Sequence, residues 1–222
     1  MRTAVLGLGV APPSAAGRRA RGPSPVQAEA SDGAPQQAAS PALSLSTVGA
    51  LSSLSAEEWD ACAAGSAASG GGTNPFVSYG FLRALEDSGS ADKRHGWGVQ
   101  HLVLRDAGGK AVGVAPLYVK AHSYGEYVFD SSWASAYARH GQRYYPKLQC
   151  CVPFTPVTGP RLLVRADAPA GAATMLARGV AAVAETLQLS SAHVTFPTQA
   201  EAELLVQEGW LMRTGFQYWC VS

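Results

Sequence analysis

Two stretches hold most of the residues able to do chemistry. Residues 122–130 read HSYGEYVFD, and residues 144–161 read YYPKLQCCVPFTPVTGPR. In the first, Glu126 sits between Tyr124 and Tyr127 in a run that otherwise reads as core. A carboxylate facing a cleft there is partly desolvated, which raises its pKa and suits it to general-base work. The competing reading is an exposed acid at a strand start, paired with Lys120 or Lys147, because structural ion pairs also perturb carboxylates. His122 can shuttle a proton or touch substrate, or serve as a turn or core residue. Tyr124 beside it is a candidate substrate contact, and Asp130 reads as a helix cap before Trp133.

In the second stretch, an extended backbone over 146–152 puts Lys147 and Gln149 on one face, where both can hydrogen-bond a polar ligand. Tyr144 and Tyr145 can simply pack. Thr155, Thr158 and Arg161 lie where prolines fix the backbone, so they can form a ligand-contacting wall; an ordinary rigid connection reads as well. The adjacent Cys150 and Cys151 point to opposite faces of such a strand and cannot readily hold one ion together. No Cys-x-x-Cys occurs, no histidine stands at zinc-finger spacing, and no metal site is expected. Buried cysteines of this kind default to small hydrophobes.

Several other chemistries find no motif. There is no Gly-x-Gly-x-x-Gly after a strand, no Walker-type loop and no Gly-x-Ser-x-Gly elbow. The 222 residues carry a net charge of +1 and no basic stripe, so a nucleic-acid partner is not indicated. No apolar run reaches membrane-spanning length. Residues 1–30 hold Arg2, Arg18, Arg19 and Arg21 against one acid, Glu29. That acid-poor profile suggests an organelle transit peptide rather than a secretory signal, the alternative being a disordered tail. Val26-Gln27-Ala28 resembles a plastid processing site. The expected location is the plastid (chloroplast) stroma, with the mitochondrial matrix as alternative.

The elements that must position these residues follow from local pattern. Residues 1–45 read as transit peptide and disordered linker, with the linker composition reaching residue 53. Residues 46–73 read as a short helix, opened by a Ser55-x-x-Glu58 capping box, and a Gly/Ser-rich connector. Residues 74–222 read as the main domain. Asn74-Pro75 turns the chain, and Ser78 caps a helix whose Phe81, Leu82 and Leu85 share a face. A hairpin follows, 101–105 and 111–120 around the turn 106–109, with Pro116 marking an edge or bulge. Tyr127–Asp130 reads as a strand, Trp133–His140 as a helix and Arg161–Val164 as a strand. Asp167 can cap a long helix with Leu176, Val180, Val183, Ala184 and Leu187 on one stripe. His193–Phe196 is a strand, Thr198-x-x-Glu201 a second capping box for a helix ending at Gly209, and 212–220 a last alternating strand. The order specifies an α/β or α+β domain with a mixed central sheet flanked by helices.

The runs NPFVSYGFLRALEDSGS, from Asn74, and HSYGEYVFDSSWASAYARHGQRYYPKLQCCVPFTPVTGPRLL, from His122, carry a resemblance. They are similar to the FemAB-like family of predicted N-acyltransferases, within the GNAT-type acyltransferase superfamily, over roughly residues 74–218. The resemblance implies a single GNAT-like domain that transfers an acyl or aminoacyl group to a small-molecule or peptide amine. It implies no bound cofactor, and acyl-CoA or a similar activated donor as cosubstrate. Backbone N–H groups at a strand bulge are then the expected oxyanion donors. Glu126 becomes the candidate base, and His122, Tyr124, Lys147, Gln149, Thr155, Thr158 and Arg161 the candidate substrate contacts. Family members resemble this chain only up to Gln217-Tyr218 and continue into a second GNAT-like half. The chain is therefore expected to be one half, with a homodimer or partner chain supplying the other wall, or else a non-catalytic ligand- or partner-binding module.

Overall fold

The computed structural model describes residues 3–6, 43–67, 74–128 and 130–216. The expected transit peptide beyond Leu6, the connector from residue 68, Phe129, Cys220 and the end of the last strand lie outside them.

The first elements obey local rules. Thr3–Leu6 forms β1 and Ser44–Val48 forms β2. The Ser55–Glu58 capping box closes as expected, with Glu58 N–H donating to Ser55 Oγ at 3.1 Å and Ser55 N–H to Glu58 Oε2 at 3.2 Å. It opens α1 (Ala56–Ala67). Ser78 Oγ accepts from Phe81 N–H at 3.3 Å and starts α2 (Tyr79–Asp87), whose buried residue is Leu82.

The hairpin is the spine of the fold. Its first arm runs as β3 (Trp97–Val99) and β4 (His101–Arg105), its second as β5 (Ala111–Ala115) and β6 (Leu117–Lys120). The arms break at Gln100 and Pro116. Proline has no N–H for the ladder, and its neighbour Leu117 turns its own N–H to Nδ1 of His101 at 3.2 Å. That leaves the His101 hydrogen on Nε2, which donates to Glu86 Oε1 at 2.8 Å, while Glu86 Oε2 accepts from Leu51 N–H at 2.9 Å. The break is thus a satisfied joint between the hairpin and α2.

Across the joint the hairpin enters two four-stranded sheets. With β7 (Lys147–Cys150), β8 (Leu163–Val164) and β9 (Ala192–Val194), the orders are β2-β4-β5-β8 and β3-β6-β7-β9. All pairings in them are antiparallel except β7 with β9. A last strand, β10 (Arg213–Phe216), pairs with β1. Three helices complete the order: α3 (Ser131–Arg139), α4 (Ala172–Thr186) and α5 (Gln199–Gln207). This is the GNAT-like α+β arrangement that the resemblance implies.

Strand alternation divides the core. Leu102 and Leu104 pack with Leu176, Val180 and Ala184 of α4, and Leu117, Leu148, Cys150 and Val194 join the same cluster. Val103, Ala111 and Val114 pack on the opposite side with Trp59 and Cys62 of α1 and Leu82 of α2. Each fully buried large apolar side chain is worth roughly 1.5–3 kcal/mol.

Four local expectations change. Residues 44–48, read as linker, form an edge strand on β4, and Leu51 and Leu54 join the α1 core. Tyr127 has φ 56, a left-handed conformation that no strand continues, and neither Tyr127, Val128 nor Asp130 is in a strand. Asp130 does stand at the N-cap of α3, yet its side chain makes no capping bond. Asp167 does not cap α4, which has Gly171 at its N-cap; it pairs with Arg165 at 2.8 Å and Lys110 at 3.2 Å instead.

Candidate functional site

One face of the second sheet is polar although it is covered. Register pairs Trp97 with Lys120, Lys120 with Lys147, Tyr118 with Gln149, and Gln149 with His193. Directly opposed residues share a face. The row Lys120, Tyr118, Lys147 and Gln149 therefore lies together, away from Leu117, Leu148 and Cys150. All four are buried.

At its centre stands an ion cluster. Lys147 Nζ donates to Glu126 Oε2 and to Asp130 Oδ2, both at 2.6 Å. The three residues are only 1%, 3% and 3% exposed. Tyr145 OH donates to Asp130 Oδ1 at 2.8 Å, so both Asp130 oxygens are engaged. Among the described residues Glu126 Oε1 has no partner, and neither do the Tyr118 hydroxyl and Gln149 Oε1. Burial raises Glu126 above the usual carboxylate range despite the pull of Lys147 and Lys120. Burial opposes the charge of Asp130 too, but hydrogen bonds from Lys147 and Tyr145 outweigh it and hold Asp130 below that range. Lys120 Nζ lies 3.3 Å from the Trp97 ring centroid and donates to Tyr124 O at 3.2 Å. Burial brings its pKa down to about 8.

The loop that follows β6 contributes His122 and Tyr124 to a cavity of about 660 Å³, which is lined also by Ser88, Ser90, Arg94, Trp97 and Phe154, with Gly89 and His95. Its walls depend on two close approaches. A Cβ at Gly125 (φ +79) would lie 2.6 Å from the Phe154 ring, and one at Gly96 (φ +75) 2.3 Å from His122 Nε2. Phe154 itself is left-handed (φ 58) and donates its N–H to Gly125 O at 3.0 Å. Such a backbone costs a non-glycine residue about 1–2 kcal/mol, and strain of this kind collects at functional sites. Burial and the nearby Lys120 charge lower the His122 pKa. Tyr124 N–H donates to His122 Nδ1 at 3.3 Å, which puts the hydrogen of the neutral ring on Nε2.

The expected site residues therefore divide. His122 and the exposed Tyr124 line the cavity; Glu126 and Lys147 are buried, do not line it and contact each other. Gln149 is buried and donates to Thr195 Oγ1 at 3.1 Å. Arg161, expected at a ligand wall, is fully buried and spends its guanidinium on the carbonyls of Thr195, Pro160 and Val157 at 2.9, 3.0 and 2.7 Å. It pins the 151–160 loop and does not reach the cavity. Thr155 bonds Pro153 O at 3.0 Å, and Thr158 is exposed; neither lines the cavity. Cys150 and Cys151 do face opposite layers, and burial pushes the Cys151 thiol up to about 12. Sequence reasoning missed Trp97 and Phe154 as cavity walls and Asp130 as a Lys147 ligand.

A family model for FemAB-like proteins, described as peptidoglycan biosynthesis/recognition, matches residues 50–221. The chain belongs to the FemAB-like family. No curated protein and no solved structure matches it. The family match includes α1 and α2 together with the whole polar face, consistent with their shared core. It supports a transferase of the acyltransferase type. The break at Pro116 does not supply the expected oxyanion donors of this FemAB-like chain. Leu117 N–H is taken by His101, and Gln100 N–H by Leu117 O at 2.9 Å. Among the described residues no helix is long and apolar enough to cross a membrane.

Proposed function

We propose that the chain transfers an acyl or aminoacyl group from an activated ester or thioester donor to an amine. The cavity seats the reacting groups, and Glu126 accepts the proton. The new N–C bond forms as the ester or thioester bond breaks, and the amine proton passes to Glu126 and on to the departing oxygen or sulfur. The observation that carries this reading is Glu126 itself, a buried carboxyl fixed at Oε2 by Lys147 with Oε1 unpartnered among the described residues. His122 is less suited to the task. Its Nδ1 lone pair already accepts from Tyr124, and its Nε2 is packed against Gly96.

The reading requires loop 122–126 to admit the amine, or one bridging water, to Oε1. Gly125 and Tyr127, both left-handed, flank Glu126 where that movement would occur. Acyl-CoA and other activated donors are assayed against a panel of amines with wild type and Glu126→Gln. Turnover that falls at least about 100-fold supports Glu126 as base. Binding of an amine with no transfer by wild type would favour a non-catalytic binding module.

A further inference from the structure

The cluster contains one cation bridging two carboxylates, and its hydrogen bonds are unequal. Asp130 has both oxygens engaged, by Lys147 and by Tyr145. Glu126 has one oxygen engaged and one that meets no partner among the described residues. Two buried carboxylates cannot both draw fully on a single ammonium, and the better-solvated one keeps the charge. We propose that Asp130, seated by Tyr145, is a positioning residue that takes up the Lys147 charge and so leaves Glu126 free to bind and release a proton. The inference rests on the reading of Glu126 as the base and adds the device that tunes it.

The surroundings of Glu126 agree with this assignment. The groups facing it are Lys120 from β6, Asp130 from the start of α3, Tyr144 and Tyr145 ahead of β7, Lys147 on β7, and Cys151 just after it. Of these, Lys120 is the second cation, and its ammonium is already committed to the Trp97 face and Tyr124 O. The thiol and both phenols are raised by burial and stay neutral. Asp130 is therefore the competitor for Lys147. The opposite directions of the two carboxyl pKa values, Glu126 up and Asp130 down, accord with this geometry.

The test is a carbon-detected NMR titration of full-length protein labelled at the glutamate side-chain carboxyls. Glu126 is identified by the signal missing in Glu126→Gln. In Asp130→Asn the Lys147 charge turns to Glu126, and its titration midpoint falls by about one pH unit or more. In Tyr145→Phe, which keeps the ring but removes the donor to Asp130 Oδ1, the midpoint falls by a smaller step. A midpoint that stays or rises in both variants overturns the inference. Should Asp130→Asn not fold, the Tyr145→Phe shift alone decides. The readout needs no turnover, so it separates two failures. A shifted midpoint with an unshifted pH–rate profile leaves the tuning intact and removes Glu126 as base; an unshifted midpoint removes the tuning whatever the activity.

Discussion

Replacing Arg161 by lysine separates a substrate contact from a structural pin. The guanidinium spans three carbonyls, those of Thr195, Pro160 and Val157, from a site with no solvent exposure. An ammonium is a single point of charge and cannot follow that fork, so at least one carbonyl is orphaned and a second is strained. Each hydrogen bond to a charged group is worth about 1.5–3 kcal/mol, and losing one or two costs about 2–5 kcal/mol. For a chain of this size that lowers the melting temperature by roughly 5–15 °C. Urea denaturation with an unchanged slope reads the loss, and hydrogen exchange should locate new opening at 151–160. Below the transition KM stays at the wild-type value, because Arg161 does not reach the cavity. A raised KM with stability within about 0.5 kcal/mol of wild type would refute the pin and restore Arg161 as a substrate contact.

Two further outcomes follow from the polar face and the cavity. Lys120 has a folded pKa of about 8, below its unfolded value, so the unfolded chain holds the extra proton between about pH 8 and 10.4. Wild type should therefore gain stability relative to Lys120→Met as pH rises through that window, by on the order of 3 kcal/mol, in paired denaturation curves; parallel curves would show that the ammonium is not desolvated. Gly125→Ala adds a Cβ 2.6 Å from the Phe154 ring at a left-handed backbone, and should cost about 2 kcal/mol or more in thermal melts. A melt within 1 °C of wild type would mean that the Phe154–Gly125 contact does not shape the cavity.

Elements governed by side-chain pattern were legible in the sequence. Both capping boxes, the α2 face, the hairpin with its break at Pro116 and the α4 stripe as far as Ala184 were readable, because each follows from residues a few positions apart; Leu187, read onto that stripe, is the exposed C-cap. Strand β2 was not legible. Its residues SLSTV are mostly exposed, and it is held by backbone pairing to β4, which leaves no mark in the sequence. The run 127–130 alternates like a strand, yet Gly125 and Tyr127 turn the chain left-handed there. For the site, alternation put Lys147 and Gln149 on one face, as observed. Their burial was hidden, since the loop segments 121–128 and 151–161 have no period. The Trp97–Lys120–Lys147 row depends on register across three strands, and the grip of Arg161 depends on the distant Thr195.

The central claim is that Glu126 is the proton acceptor, and the pH dependence of kcat/KM in wild type against Glu126→Gln tests it most directly. The Gln side chain keeps the shape and an oxygen for Lys147 while removing the proton site. The account predicts a wild-type acid limb set above the ordinary carboxylate range, since burial raises Glu126. It predicts that this limb disappears in Glu126→Gln together with at least about 100-fold of the rate. An unchanged rate with the same acid limb in the variant would contradict it.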